Sequence, residues 1–152
     1  MRKFFFLSLF ALAFLSCTKN EIVIAPPSTK EEAVQVYKEA LQSLSRGQYY
    51  IASKKFDESE RLLPQTGWAA KSSIMSSYCM YLMNFYDEAI LNLKRFIKIY
   101  PADPNIDYAY YLIAIIYYDQ ILDEEKDIEP LITSKNSIEI FLKKYPDTDY
   151  AM

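Results

Sequence analysis

The stretch that decides the fold is YDEAILNLKRFIKIYP, residues 86 to 101. Counting back 12, 8, 5 and 1 residues from its final proline gives Ala89, Leu93, Phe96 and Tyr100. Steps of four, three and four residues place these side chains on one stripe of an α-helix. Because proline cannot continue a helix, the helix is predicted to end just before Pro101.

The same pattern precedes two other prolines, Pro64 and Pro146. Each stripe begins with a small residue and ends with a large apolar one. Partner segments lie upstream, and in the first two pairs a short hinge follows, so we predict helical hairpins. Gly47 is expected to cap the C-terminus of a first helix, and Asp87 is expected to be the N-cap of a second helix. The two stripes are Ala52, Phe56, Ser59 and Leu63, and Ser134, Ile138, Phe141 and Tyr145.

A hairpin of about 34 residues with alanine early in its second helix and proline at its end is typical of the tetratricopeptide (TPR) repeat. We therefore predict an all-α fold of TPR-like hairpins forming a right-handed solenoid over residues 29–152. The predicted hairpins cover about 29–64, 67–101 and 105–146, and a fourth begins at 148.

The spacing of the prolines is uneven, 37 residues from Pro64 to Pro101 and 45 from Pro101 to Pro146. This predicts an insertion in the third hairpin, at Leu122 to Pro130, which we interpret as a solvated loop; a loop that contacts a partner is the alternative. Tyr150-Ala151 follow Pro146 at the spacing at which Trp68-Ala69 follow Pro64. We therefore expect a C-terminally truncated sequence whose missing part holds further helix pairs.

The N-terminus has the features of an export signal. Residues 1–16 combine Arg2 and Lys3 with a short apolar run, as in a signal peptide. Cys17 stands where that run meets a polar stretch, as in bacterial lipoprotein signals, so we predict lipid attachment at Cys17 and a flexible tether over 17–28. An ordinary cleaved signal peptide and an uncleaved anchor are the alternatives. By resemblance to lipoprotein sorting in proteobacteria, Thr18 in place of aspartate favours the outer membrane.

Composition argues against catalysis. The chain has no histidine, the commonest general base, and only two glycines, too few for a phosphate-binding loop. Cys79 lies on an apolar helical stripe and is interpreted as a core residue, with a reactive thiol as the alternative. We therefore predict no enzyme activity, no metal and no cofactor. The acidic balance, 20 Asp and Glu against 17 Lys and Arg, argues against nucleic acid.

Tyrosine is unusually frequent, at 14 of 152 residues. Packing between helices accounts for many of these rings, and the rest are expected on the concave surface that first helices line in such arrays. Tyrosine combines a large contact area with a hydroxyl group and few rotatable bonds, which suits the binding of extended peptides.

Two segments carry a resemblance to a known family: FIKIYP at residues 96–101 and PNIDYAYY at residues 104–111. They resemble the BamD (YfiO-like) family of outer-membrane lipoproteins, most closely its α-proteobacterial branch. The resemblance implies a scaffold of the outer-membrane β-barrel assembly (BAM) complex on the periplasmic face of the outer membrane. The implied partners are BamA, other BAM subunits and unfolded outer-membrane β-barrel proteins.

On that resemblance, the candidate surface for binding peptides or partners consists of Tyr78, Tyr81, Asn105, Asp107, Tyr108 and Tyr111. Two alternative functions stay open at this point. One is a generic periplasmic TPR lipoprotein that coordinates the envelope or cell division. The other is an enzyme, such as a murein hydrolase, with a repeat appendage.

Overall fold

The structure is a computed structural model, and it describes residues 28–123 and 128–151. The predicted signal peptide, Cys17 and most of the tether lie outside these residues. The described part contains no β-strand, and the predicted all-α fold of TPR-like hairpins is confirmed. Its elements are α1 (Thr29–Ser45), α2 (Tyr49–Leu62), α3 (Gly67–Leu82), α4 (Tyr86–Ile99), α5 (Ile106–Asp123), α6 (Glu129–Lys144) and a 3-10 turn, Asp149–Ala151.

Left-handed residues end the first helices of the first two hairpins. Gly47 has a φ of 73° after α1, where the next N–H, from Gln48, donates to the Ser43 carbonyl at 2.9 Å. This confirms the predicted role of Gly47. Asn84 has a φ of 60° after α3 and supports the same turn without glycine.

The prediction that Asp87 is an N-cap is wrong. Helix α4 begins at Tyr86, its N-cap residue is Phe85, and Asp87 lies inside the first turn. There its carboxylate faces the positive end of the helix dipole, which also favours an acidic residue. The sequence pattern therefore identified a favourable residue but misplaced the helix start by two residues.

The predicted stripes of the second helices are buried at their centres, and their last residues, Leu63, Tyr100 and Tyr145, are partly exposed. Phe56, Leu93 and Phe96 are each 0% exposed, and Phe141 is 3% exposed. Each helix packs on the next along the chain, and the first helices α1, α3 and α5 also touch in sequence. The three first helices therefore form one continuous layer.

Helix α3 is buried on two sides because its serines are small. Ser72, Ser73, Ser76 and Ser77 are all fully buried. Ser72 donates to the Ser59 hydroxyl at 3.0 Å, and other serine hydroxyls also find partners, so close approach of the helices leaves their polar atoms satisfied. The tight packing of the first two hairpins depends on this row of small side chains.

Cys79 lies in the small core between the first hairpin and α3, at 0% exposure, which confirms its interpretation as a core residue. Burial, followed by the negative charge of Asp57, raises the pKa of the thiol to about 12. The thiol is therefore protonated at neutral pH and is a weak nucleophile.

The predicted loop from Leu122 to Pro130 is too long at both ends. Helix α5 continues to Asp123, and α6 begins at Glu129 with Pro130 in its first turn. Proline is tolerated there because the first N–H groups of a helix have no partner within the helix. Residues 124–127 lie outside the described part. Within that part, no helix is both long and apolar enough to span a bilayer.

Candidate functional site

A groove of about 400 Å³ crosses the first helices of all three hairpins. Its lining residues come from α1, α3, the start of α5 and the 3-10 turn. We call it the tyrosine groove, since four of its eight lining residues are tyrosines. They are Tyr37 from α1; Lys71, Ile74, Met75 and Tyr78 from α3; Asn105 and Tyr108 at the start of α5; and Tyr150 from the turn.

Aromatic rings form the side of the groove nearest the 3-10 turn. The Tyr150 ring lies 5.3 Å from the Tyr108 ring and stacks on the Tyr111 ring at 5.0 Å with an angle of 22°. Tyr111 in turn contacts Phe141 at 5.8 Å. These separations fall in the favourable range for aromatic pairs. The wall is therefore supported by the core of the third hairpin.

Asp107 holds the turn that carries Tyr150. Its carboxylate accepts a hydrogen bond from the Thr148 hydroxyl at 2.6 Å and another from the Tyr108 N–H at 2.8 Å. A carboxylate engaged in this way positions the groove wall, whereas a carboxylate that contacts a ligand would face the groove. Asn105 is similarly oriented, because one Asp103 oxygen accepts from both its backbone and its side-chain N–H at 2.9 Å.

Tyr81 lies beside Tyr78, with ring centres 6.2 Å apart, but it is not among the lining residues. Its hydroxyl donates to the Asp119 carboxylate at 2.7 Å and thereby connects α3 to α5. That hydrogen bond, followed by burial, raises the pKa of Tyr81 to about 12. Burial, with smaller contributions from nearby tyrosines, raises the pKa of Tyr108 to about 12 as well. Both phenols are neutral at physiological pH and can donate hydrogen bonds.

The structure thus brings three of the six predicted site residues into one groove: Tyr78, Asn105 and Tyr108. Tyr111 supports the wall from behind, whereas Asp107 and Tyr81 hold neighbouring elements in place. Sequence reasoning missed the other five lining residues, of which only two had even a weak signal. Tyr37 is the one aromatic residue of α1, and Tyr150 recurs at the repeat position of Trp68; Lys71, Ile74 and Met75 carried no signal for a groove.

The described residues offer little material for metal chemistry. Within 28–123 and 128–151, no cluster of three His, Cys, Asp or Glu side chains could hold a metal ion. What the groove offers is aromatic and apolar surface, hydrogen-bonding groups and one ammonium, from Lys71. Such a surface is suited to non-covalent binding.

The fold and the groove define a helical-repeat protein of the TPR type, with an aromatic surface made by its first helices. A family model described as "YfiO: Outer membrane lipoprotein" matches residues 29–152. The chain therefore belongs to this family of outer-membrane lipoproteins, and the resemblance to the BamD family is confirmed.

Similar proteins include several named outer membrane protein assembly factor BamD. That of Caulobacter vibrioides is 36% identical over 116 residues, which cover 76% of this chain and 38% of the relative. That of Rickettsia prowazekii is 32% identical over 130 residues, or 86% of this chain and 49% of the relative. That of Neisseria meningitidis is 27% identical over 122 residues, or 79% and 46%. The matched part thus spans half or less of these relatives.

Proposed function

We propose that this chain is a scaffold lipoprotein of the BAM complex, which binds unfolded outer-membrane proteins and partner subunits during insertion into the outer membrane. It acts by binding and not by catalysis. The observation that carries the proposal is the tyrosine groove, which crosses three hairpins of a chain belonging to a family of outer-membrane lipoproteins. The relatives' printed name, outer membrane protein assembly factor, supports the same role.

The ligand proposed for the groove is an extended, aromatic-ended segment of an unfolded barrel protein. Outer-membrane strands alternate apolar and polar residues and carry aromatic residues near the membrane interfaces. Tyr78, Tyr108 and Tyr150 line the groove and provide aromatic surface for such side chains, and Asn105 provides an amide. Lys71 is the one charged residue among the described side chains that line the groove, and its ammonium would attract a carboxylate of the segment.

The proposed function includes attachment of the chain to the outer membrane. Lipid on Cys17, followed by a tether to Ser28, would hold α1 just below the outer membrane on its periplasmic face. BamA and the other BAM subunits are the proposed protein partners. The groove would then be held close to the place where barrel proteins insert.

A binding assay tests the groove. The probe is a fluorescein-labelled ten-residue peptide of alternating apolar and polar residues that ends in phenylalanine, and the measurement is fluorescence anisotropy. Removing one central aromatic contact typically costs 1 to 2 kcal/mol, so Tyr78→Ala and Tyr108→Ala should each weaken binding by about 5- to 30-fold. Tyr108→Phe keeps the ring and should retain most of the affinity.

The matched control is Tyr118→Ala, at an exposed tyrosine of α5 that does not line the groove. Circular dichroism checks that each variant is folded. If Tyr78→Ala and Tyr108→Ala bind as tightly as the unchanged protein, the groove is not the binding surface.

Two further measurements test the cellular role. Purified BamA should be retained by the immobilised protein, whereas a TPR lipoprotein that serves only the envelope or cell division would not retain it. Mass spectrometry of the mature N-terminus should show lipid on Cys17; an unmodified cysteine would contradict the anchor.

A further inference from the structure

A second groove, also of about 400 Å³, lies between α4, α5 and α6. Its residues from α5 are Tyr110, Ile113 and Tyr117, spaced three and four residues apart. At 100° per residue this stripe points away from Tyr108 and Tyr111, so the second groove lies on the other face of α5 from the tyrosine groove. We call it the lysine-rimmed groove.

The floor of the lysine-rimmed groove is apolar and accessible. It includes Ile97, Ile113 and Ile140, and the Ile140 side chain is 55% exposed. Thr133, Asn136 and Ser137 of α6 add hydrogen-bonding groups at one side. Covering exposed apolar side chains such as Ile140 would remove them from water, which favours association.

Two ammonium groups lie at the rim: Lys94 lines the groove, and Lys144 contacts the lining residue Tyr110. The Lys94 ammonium donates to the Tyr117 hydroxyl at 3.3 Å. The Lys144 ammonium donates to the Tyr110 hydroxyl at 2.7 Å and lies 4.2 Å above the centre of that ring. That hydrogen bond to Tyr110 raises the pKa of Lys144, so the group stays charged.

Among the described residues, neither lysine of this rim forms an ion pair. Both lysines contact phenols, whereas the ion pairs found within the described residues involve other cations: Lys55, Arg95 and Lys135. No acidic residue is among the described side chains that line the groove. In a chain with a net charge of −3, this is an apolar surface bordered by positive charge.

From this charge pattern, we propose that the lysine-rimmed groove binds a segment of a partner protein in which an apolar side chain is flanked by acidic residues. Tyr110 and Tyr117 are seven residues apart, which places their two lysines roughly 10 Å apart along α5. In an extended segment, residues i, i+2 and i+4 share one face and span about 13 Å. Carboxylates at i and i+4 can therefore meet the two flexible lysines while residue i+2 enters the groove.

The probe is a fluorescein-labelled extended peptide with the core Asp-Ser-Leu-Ser-Asp, measured by anisotropy with the whole chain. Two matched peptides carry Lys-Ser-Leu-Ser-Lys and Asp-Ser-Ser-Ser-Asp. We expect both to bind at least about tenfold more weakly than the first, because each loses either the charge match or the apolar contact. Salt at about 0.5 M should weaken binding of the first peptide, since the charges are exposed.

Variants locate the site. The double substitution Lys94→Glu with Lys144→Glu should weaken binding of the acidic peptide about tenfold and favour the lysine peptide instead. Lys98→Glu is the matched control, because Lys98 is an exposed lysine of α4 that does not line the groove. Tyr78→Ala should leave this binding unchanged, which separates it from the function proposed for the tyrosine groove.

Several outcomes would overturn the inference. They are equal binding after the double substitution, an equal loss with Lys98→Glu, a loss with Tyr78→Ala, or no binding of the acidic peptide up to about 1 mM. Sedimentation velocity tests whether a second copy of the chain occupies the groove instead. A dimer that Ile140→Asp dissociates would mean that a second copy of the chain fills the groove.

Discussion

The ion pair between Arg95 on α4 and Glu60 on α2 connects the first two hairpins, and replacing Arg95 by methionine should be costly. The Arg95 guanidinium donates two parallel hydrogen bonds to the Glu60 carboxylate, at 2.8 and 2.7 Å. The same guanidinium reaches the Ser73 hydroxyl of α3 at 3.0 Å, and the Tyr100 hydroxyl donates to Glu60 at 3.2 Å. The Arg95 guanidinium on α4 thus contacts side chains of both α2 and α3.

The loss of stability in Arg95→Met depends on how deeply the ion pair is buried. Removing one partner of a fully buried ion pair costs about 3 to 5 kcal/mol, because a charge is left in the protein without its partner. The Glu60 side chain is only 12% exposed, but that of Arg95 is 39% exposed, so solvent screens part of the interaction. We therefore expect Arg95→Met to lower the free energy of unfolding by about 2 kcal/mol. This corresponds to a fall of very roughly 8 °C in Tm.

The assay is urea unfolding followed by circular dichroism, with the same m-value required for each variant. Lys135→Met is the matched control: its pair with Glu139 is 73% and 63% exposed, and its loss should cost at most about 0.5 kcal/mol. In a double-mutant cycle, Glu60→Gln with Arg95→Met should show a coupling of at least about 1 kcal/mol. Equal small costs for Arg95→Met and Lys135→Met would refute the reasoning.

Three other predictions concern stability. Phe96→Ala should lower the free energy of unfolding, measured with urea, by about 3 to 5 kcal/mol, because Phe96 is fully buried. Phe85→Ala, at a residue that is 49% exposed, should lower it far less, and similar values would contradict the assigned core. Gly47→Ala should lower the free energy of unfolding by about 1 kcal/mol, because Gly47 has a φ of 73°. Gly67→Ala, in the first turn of a helix, should not lower it, and the reverse order would be inconsistent with the observed turn. The Tyr81 phenol has a pKa of about 12 in the folded protein against 10 in the unfolded chain, so its contribution to stability is present below pH 10 and is lost between pH 10 and 12. Urea unfolding across this pH range should show a smaller fall in the free energy of unfolding for Tyr81→Phe. An unchanged dependence on pH would count against the hydrogen bond.

Local signals were sufficient for the repeat, because each depends on a few neighbouring residues. Pro64, Pro101 and Pro146 end helices by removing a donor, and a stripe such as Ala89, Leu93 and Phe96 follows from helical geometry. Errors arose where one residue type suits two positions. Aspartate is favourable both as an N-cap and within the first turn, as at Asp87, and proline is compatible with a loop and with a helix start, as at Pro130.

The candidate site was predictable only in part. Tyr78, Asn105 and Tyr108 were identified through a family resemblance, and the structure places them together. Tyr37 and Tyr150 were not identified, because they are 113 positions apart in the sequence and line one groove only through the packing of the hairpins. Sequence spacing within one helix cannot reveal such neighbours.

The sequence by itself thus determined the all-α class, the repeat and the ends of most helices, since helix periodicity, proline and glycine act over a few residues. It also determined the family, through the segments at residues 96–101 and 104–111. Only the tertiary structure decided which tyrosines share a groove, that Asp107 holds a turn, and that Arg95 connects two hairpins. These depend on how far each hairpin rotates against the next. That rotation is set by side-chain volumes at the interfaces, such as the buried serines of α3, and not by any local pattern.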